Sequence, residues 1–334
     1  MGFRSSVKRA LRIFLARFGF DIVPRAYIYD WQTENIQQRP SDIFLPEEAR
    51  SYLSATNPVL LDYQNRYSNC DYPSGEVSLW TEDHVKSEDI LYFRGHNAYV
   101  FQEGKFNRNL FGYLLAYYYL KSIDHRGLLK ILEEDNAFGA ITYTVDGIQV
   151  SRDLLDSILE IYFLDKHLQL FQNPGFSVLD IGAGYGRSAY RMVKTFPHLK
   201  QYYCADAIAV SSFIAEYYLK FRGIEDKARV LHLDTIRQDL SNVTVDLAIN
   251  VHSFSECTLP AIEWWLGLIS ENKIPHLMIV PNSGTELLTQ DNNDFLPLVT
   301  KYGYEPTIIE PKYKDPVVQK YALNPDHFHL FQLR

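Results

Sequence analysis

The chain has 334 residues, enough for one large or two modest domains, and with 46% hydrophobic and 14% aromatic residues it can build a sizeable core. A formal charge of −8 argues against nucleic acid as the main partner, because phosphate binding needs a basic surface. Cys70, Cys204 and Cys257 lie far apart with no Cys-x-x-Cys pair, so neither a zinc knuckle nor a disulfide framework is indicated, and a reduced cytoplasmic setting is expected.

The first 25 residues depart from the acidic average. Arg4, Lys8, Arg9, Arg12 and Arg17 precede the first acid, Asp21, and Val7, Ala10, Leu11, Phe14, Leu15 and Phe18 recur at helical spacing. Residues 1–25 therefore read as a basic amphipathic helix. It is too short and too charged to span a membrane, and it lacks the unbroken apolar core and cleavage site of a signal peptide. Two placements fit it: packed on its own domain, or peripheral on the anionic inner face of a membrane.

Residues 26–150 read as a mainly helical region that covers the site and contributes to the substrate. Ala26 to Glu47 is an irregular connection with Pro40 and Pro46, followed by short helical patterns over Pro58–Tyr67, Ser87–Phe93, Asn107–Ile123 and Arg126–Glu134. The run Phe111 to Leu120 is apolar nearly all round and should be buried. The aromatic segment Asp89 to Gln102 contains Arg94 and His96; it either offers flat faces and polar tips to a substrate or packs into the core. From Ile141 to Val150, alternating β-formers flank Asp146-Gly147, a hairpin signal.

Residues 151–334 read as a cofactor-binding domain. Ser151 N-caps a helix running to about Leu170, on which Asp153, Asp156 and Glu160 share one narrow face. Such a stripe is usually a solvated face; its position before the next strand also brings Arg152, Asp153 and Asp156 near a ligand mouth, which makes Arg152 a substrate-binding candidate. Ser177 to Arg187 then reads as strand, glycine turn, helix. The dinucleotide fingerprint requires a glycine where Arg187 stands, so the pattern is instead Asp-x-Gly-x-Gly-x-Gly. Its candidate ligand-binding residues are Asp180, Gly182, Ala183, Gly184, Tyr185 and Gly186.

Gln201 to Asp206 reads as a second strand, ending in a carboxylate 22 residues past Gly184 (206 − 184), the spacing of an acceptor for ribose hydroxyls; Asp206 can also N-cap the next helix. After a helix over Val210–Phe221, a third strand ends at Asp234, either a turn residue or the adenine side of a pocket. The fourth strand, Val245–Val251, contains Asn250 and runs into His252-Ser-Phe-Ser-Glu256. Ligands of open α/β sheets sit beyond the carboxyl ends of the strands, so Asn250, His252, Ser255 and Glu256 are well placed, although Glu256 can equally cap the helix Leu259–Ile269. The fifth strand, His276–Val280, leads to Asn282 and Glu286 at the same edge as substrate candidates. Glu305–Glu310 and His327–Leu333 form a closing antiparallel pair.

The glycine pattern resembles motif I of the class I S-adenosylmethionine-dependent methyltransferases. The chain is similar, further, to the sugar O-methyltransferases of bacterial polysaccharide gene clusters. The resemblance is carried by Ser151 to Ser157, Val178 to Arg187, Asp206 with Ala215 to Leu219, and Asn250 to Glu256, and covers most of residues 85–334; Ala207-Ile-Ala209 departs from it where a proline-containing turn is expected. It implies a Rossmann-like α/β fold, a seven-stranded mostly parallel sheet with an antiparallel C-terminal strand behind a mainly helical N-terminal region. The implied cofactor is S-adenosylmethionine, and the implied acceptor a carbohydrate or nucleotide sugar. Sugar hydroxyls ionise only at high pH, so either a base takes the proton or a metal lowers the hydroxyl's pKa. His252, oriented by Glu256, is the expected base; Asp206, Glu256 and Glu286 are the carboxylates that would converge on a divalent ion. Two alternatives stay open: methylation of a small non-sugar hydroxyl or amine, and a catalytically silent cofactor-binding scaffold in a glycan-assembly complex.

Overall fold

The structure, a computed structural model, describes residues 3–22, 37–38, 44–73, 90–95, 110–282 and 284–334; of 3–9, 37–38 and 110 only the backbone is described. Helix α1 (Phe3–Ala16) forms as its periodicity predicts. It is followed by β1 (Gln37–Gln38), α2 (Ala49–Tyr52) and α3 (Pro58–Ser68), the last started by Asn57, whose side chain accepts from the Val59 amide, with Pro58 at the first helical position. Next come α4 (Leu110–Ile123), buried as its all-round apolar pattern requires, and α5 (Leu128–Ile131). Strands β2 (Tyr143–Val145) and β3 (Ile148–Val150) form the expected hairpin, with Asp146 and Gly147 at φ 51° and 77°, the left-handed pair of a type I′ turn. β1 pairs with β2, so the stretch read as an irregular connection carries a short strand.

Ser151 caps α6 (Arg152–Leu168), accepting from the Leu154 amide at 3.0 Å. Strand and helix then alternate: β4 (Ser177–Ile181), α7 (Arg187–Thr195), β5 (Gln201–Ala205), α8 (Ala209–Phe221), β6 (Ala228–Leu231), α9 (Ile236–Ser241), β7 (Leu247–Val251), α10 (Leu259–Glu271), β8 (His276–Val280), α11 (Leu296–Lys301), β9 (Tyr304–Pro311), α12 (Pro316–Tyr321) and β10 (His327–Leu333). The sheet order is β6-β5-β4-β7-β8-β10-β9. β4 to β8 are parallel, and β10 runs antiparallel to both β8 and β9. This is the Rossmann-like arrangement with one reversed strand near the C-terminus. Neighbouring residues of β4, Val178 and Leu179, enter two core layers on opposite faces of the sheet. The chain moves outward from β4 through β5 to β6 and returns to β4's other side as β7, so the crevice lies beyond the carboxyl ends of β4 and β7.

Two expectations change. The helix read over Arg126–Glu134 shrinks to α5 because Glu134 and Asp135 turn inward to arginines. Glu134 is bound by Arg94 at 2.5 Å and Arg191 at 2.9 Å, and Asp135 by Arg94 at 2.6 Å and Arg222 at 2.5 Å. Arg94, 1% exposed, thus ties the N-terminal region to the glycine-loop helix α7 and is not a substrate ligand. His96 lies outside the described residues. Among the described residues no helix is long and apolar enough to cross a membrane.

The buried ionic cluster predicts an acid response. Burial alone would raise the Glu134 carboxyl, but Arg191 and Arg94 outweigh it and hold the group at about 2 against an ordinary 4.5. A depressed carboxyl contributes stability above its unfolded value, lost as pH falls through the folded one. Urea unfolding should therefore show stability declining as pH drops from about 4.5 towards about 2. Glu134→Gln, which leaves two buried guanidiniums without a counter-charge, should cost about 3–5 kcal/mol near neutrality. A Gln variant as stable as the wild type would contradict the assignment.

Candidate functional site

The glycine turn is shaped by what passes close to it. Gly182 has φ 75°, and a Cβ there would meet the Ser253 Oγ at 2.1 Å, so only glycine lets the loop and the turn after β7 approach this closely. Asn250 is the clasp between them: its Nδ2 donates to the Ile181 carbonyl at 2.9 Å and to Ser253 Oγ at 2.6 Å, and its Oδ1 accepts from the Phe254 amide at 3.0 Å. It is fully buried and shapes the loop from behind, which corrects its assignment as a cofactor ligand. Gly182 and Ala183 donate their amides to the Ala205 carbonyl, and Gly186 donates to that of Ala183. Gly184 has φ 55°, and among the described residues a Cβ there would meet nothing within 4 Å, so the side on which a side chain would stand is open.

Asp206 joins this loop to the end of β5. Its Oδ2 accepts from the Gly184 amide at 3.0 Å and its Oδ1 from the Ile208 amide at 2.9 Å, so it is both a turn-former at the start of α8 and the partner of the central glycine. Burial pushes its carboxyl up to about 7, the two backbone bonds oppose that rise, and the Glu256 charge adds to it. Asp180 behaves differently from expectation. It lies inside the sheet, accepts from the Tyr202 hydroxyl at 2.8 Å, and is pushed up to about 7 by burial. Tyr185 contributes only backbone to the loop; its ring is buried against Tyr218 and its hydroxyl donates to Asp153.

The acidic stripe of α6 is not a solvated face. Asp153, Asp156 and Glu160 are all buried. Asp153 holds Tyr185. Asp156 accepts from Lys312 at 2.5 Å and Asn324 at 3.1 Å and sits 3.5 Å from Arg152. Glu160 takes a two-pronged bond from Arg187 at 3.0 and 3.1 Å, and Ser157 accepts a third at 2.7 Å. The arginine that fills the third-glycine position of a dinucleotide loop is thus a strut between α7 and α6.

At the tip of β7 stands His252, with φ 69° and ψ −33°, a backbone conformation rare outside glycine. Its amide donates to the Val280 carbonyl at 2.8 Å. Its Nε2 lies 3.3 Å from Asp326 Oδ2, not against Glu256, which corrects the expected orienting residue. Asp326 also meets Lys312 at 3.4 Å. Burial would raise the Asp326 carboxyl, but Lys312 and His252 hold it below the ordinary range, with Arg152 adding to them. Arg152 therefore belongs to the His252 neighbourhood. Glu256 accepts from Asn282 Nδ2 at 3.4 Å, while Thr258, not Glu256, caps α10. Glu286 is exposed on the loop after β8, and among the described residues no group of three or more His, Cys, Asp or Glu side chains is placed to hold a metal ion.

The sequence places a helix at Pro58–Tyr67, and the structure forms it as α3, but its docking against α8 and the residues after β6 was not legible. Tyr63, Arg66 and Tyr67 share one face of α3 at i, i+3, i+4 spacing. Tyr63 donates to Glu216 at 2.6 Å, Tyr67 to Ser212 at 2.9 Å, and Arg66 binds both Asp234 oxygens at 2.9 Å. Asp234 is accordingly an anchor for α3. Asp326 was findable: it precedes β10, and a strand antiparallel to β8 must begin beside β8's carboxyl end.

No protein-family model matches the chain, and no curated protein does. Among solved structures it is similar to an S-adenosylmethionine-dependent methyltransferase from Clostridium acetobutylicum, at 10% identity and TM-score 0.37 over 52% of this chain and 90% of that one. It is also similar to the mitomycin 7-O-methyltransferase (15%, TM-score 0.37, 54% and 57%) and to the cyclase SpnF (14%, TM-score 0.39, 55% and 82%). Likeness at this level assigns no chemistry, which has to come from the site.

The two raised carboxyls predict a stability trend. A carboxyl whose folded value lies above its unfolded one binds its proton more tightly in the native state, so stability falls as pH rises from about 3.8 to about 7. Asp180→Asn keeps an acceptor for Tyr202 and removes one of the two groups. Urea midpoints at about pH 5 and about pH 8 should differ less in the variant than in the wild type; an unchanged difference would contradict the burial argument.

Proposed function

We propose that the chain is an S-adenosylmethionine-dependent O-methyltransferase acting on a sugar hydroxyl, carried on a nucleotide sugar, a lipid-linked unit or a surface polysaccharide. The observation that carries the reading is that one sheet edge holds both the glycine turn tied to Asp206 and the His252–Asp326 pair. The donor set suits the cofactor. Gly184 leaves room for a ligand against the backbone, and Asp206, on oxygens already oriented by two amides, retains acceptor capacity for ribose hydroxyls. Asp206 and Glu256 make the crevice acidic, which favours a cationic ligand, and such a ligand would in turn return the Asp206 carboxyl towards its ionised form. Bound there, S-adenosylmethionine supplies an electrophilic methyl group.

The chain's own part is to orient the acceptor and remove its proton. Asp326, held ionised beside Lys312, is the acceptor in the hydrogen bond with His252 Nε2–H. That leaves the Nδ1 lone pair to accept the proton of the acceptor hydroxyl, and Asp326 stabilises the imidazolium that results. Arg152, Glu256 and Asn282 line the same edge and supply donors and acceptors matched to a polyhydroxylated ring. The sugar assignment rests on this polar lining and on the sequence resemblance.

The test follows formation of S-adenosylhomocysteine over a panel of nucleotide sugars. With an accepted sugar, His252→Ala should lower turnover about 10²–10⁴-fold while the cofactor Kd changes less than about twofold. Asp326→Asn should lower it by a smaller factor and move the pH profile. Full turnover in His252→Ala would refute the role of His252, and failure of every sugar alongside methylation of a small phenol or amine would refute the acceptor class.

A further inference from the structure

We infer that α1 is a docking element for an anionic membrane surface, a conclusion independent of the methyl-transfer reading. An amphipathic helix normally spends its apolar stripe on the core. Here the helix is attached by its other side: Arg12 Nη2 binds Asp315 Oδ2 at 2.7 Å, at the start of α12. Beyond the helix, Asp21 accepts from Lys320 at 3.1 Å and from the Tyr321 hydroxyl. With Arg12 turned to the body, Leu11, Phe14 and Phe18, at i, i+3, i+7, are turned away from it, 49%, 56% and 65% exposed. The Phe14 and Phe18 rings meet edge to face at 5.3 Å, so the stripe carries a paired aromatic surface, and Phe20, after the helix, is also exposed at 64%.

Charge selects the occupant. Arg4, Lys8, Arg9, Arg12 and Arg17 share the first 20 residues with no acid, whereas the whole chain carries −8. An apolar ridge within a cationic segment is complementary to a surface that is anionic above and apolar below, with Phe and Leu entering the acyl boundary and Lys and Arg at the headgroups. A second copy of this chain would bring a like-charged helix against the first, which opposes that pairing. The acidic body would be repelled from the same surface, so contact is confined to the helix and the orientation of the domain is fixed by it. The Arg12–Asp315 and Asp21 contacts tie the helix to α12 on the body.

The experiment is sedimentation of the full chain with sucrose-loaded vesicles of roughly 3:7 phosphatidylglycerol to phosphatidylcholine, or of phosphatidylcholine alone. The comparison protein is the triple variant Leu11→Ser, Phe14→Ser, Phe18→Ser, whose changes fall on exposed side chains and should leave the thermal midpoint unchanged. The wild type should partition to the anionic vesicles about 10-fold or more over the neutral ones, less so at high salt. The variant should lose about 10-fold or more of that partition. Equal partition of wild type and variant, or of the wild type between the two vesicles, overturns the inference. So does a wild type that ignores vesicles and self-associates in analytical ultracentrifugation while the variant stays monomeric, which would place a second copy on the ridge.

Discussion

Three acids on one face of α6 are each held by a residue from a different part of the chain: Asp153 by the Tyr185 hydroxyl of the glycine loop, Asp156 by Lys312 after β9, and Glu160 by Arg187 at the start of α7. All three are buried, so none is a disposable surface pair. Buried ion pairs roughly break even against well-packed apolar residues, but removing one partner costs about 3–5 kcal/mol. Their contribution is therefore positional. Glu160 fixes where α7 begins and Asp153 fixes the residue between Gly184 and Gly186. Asp156 holds Lys312 within 3.4 Å of Asp326, the partner of His252. One helix face thus sets both the glycine turn and the proposed base.

The unfavourable features of the fold are gathered at the same edge. Two carboxyls, Asp180 and Asp206, are buried enough to rise to about 7. His252 holds a φ of 69°, a conformation that costs about 1–3 kcal/mol in a non-glycine residue and persists because its amide is bound to Val280 and its carbonyl accepts from Ser255. Gly182 has no room for a methyl group. The sheet core, the Arg94–Glu134–Arg191 cluster and the α6 pairs over-determine the surroundings, and that lets the strained residues stay in place.

Much of this was legible in the sequence wherever the signal is local. Strand β8 was bounded at His276 and Val280, the hairpin at Asp146-Gly147, and the start of α6 at Ser151, because alternation, turn chemistry and capping act over a few residues. The glycine turn and Asp206 followed from a spacing that two strands and one helix impose. What failed was partnership across long separations. Glu160 finds Arg187 27 residues away, and Asp156 finds Lys312 156 residues away, so a charged stripe read alone looked solvated. His252 was assigned Glu256, four residues on, but the chain turns there through Ser253–Glu256 and brings Asp326 from 74 residues away. Tyr185 sits in the glycine loop and Asn250 near the end of β7, as the sequence indicates, yet their side chains point into the protein, which position alone does not reveal.

The central claim is that the turn around Gly184 and Asp206 holds S-adenosylmethionine. Isothermal titration of the full chain with that cofactor and with S-adenosylhomocysteine tests it most directly, with Gly184→Arg as the comparison because an arginine there occupies the space the glycine leaves. The account predicts a Kd of about micromolar order for the wild type and no measurable heat for the variant, which the φ of 55° should destabilise by about 1–3 kcal/mol while leaving it folded at the titration temperature. A folded wild type that binds neither compound, or a variant that binds both as well as the wild type, would contradict it.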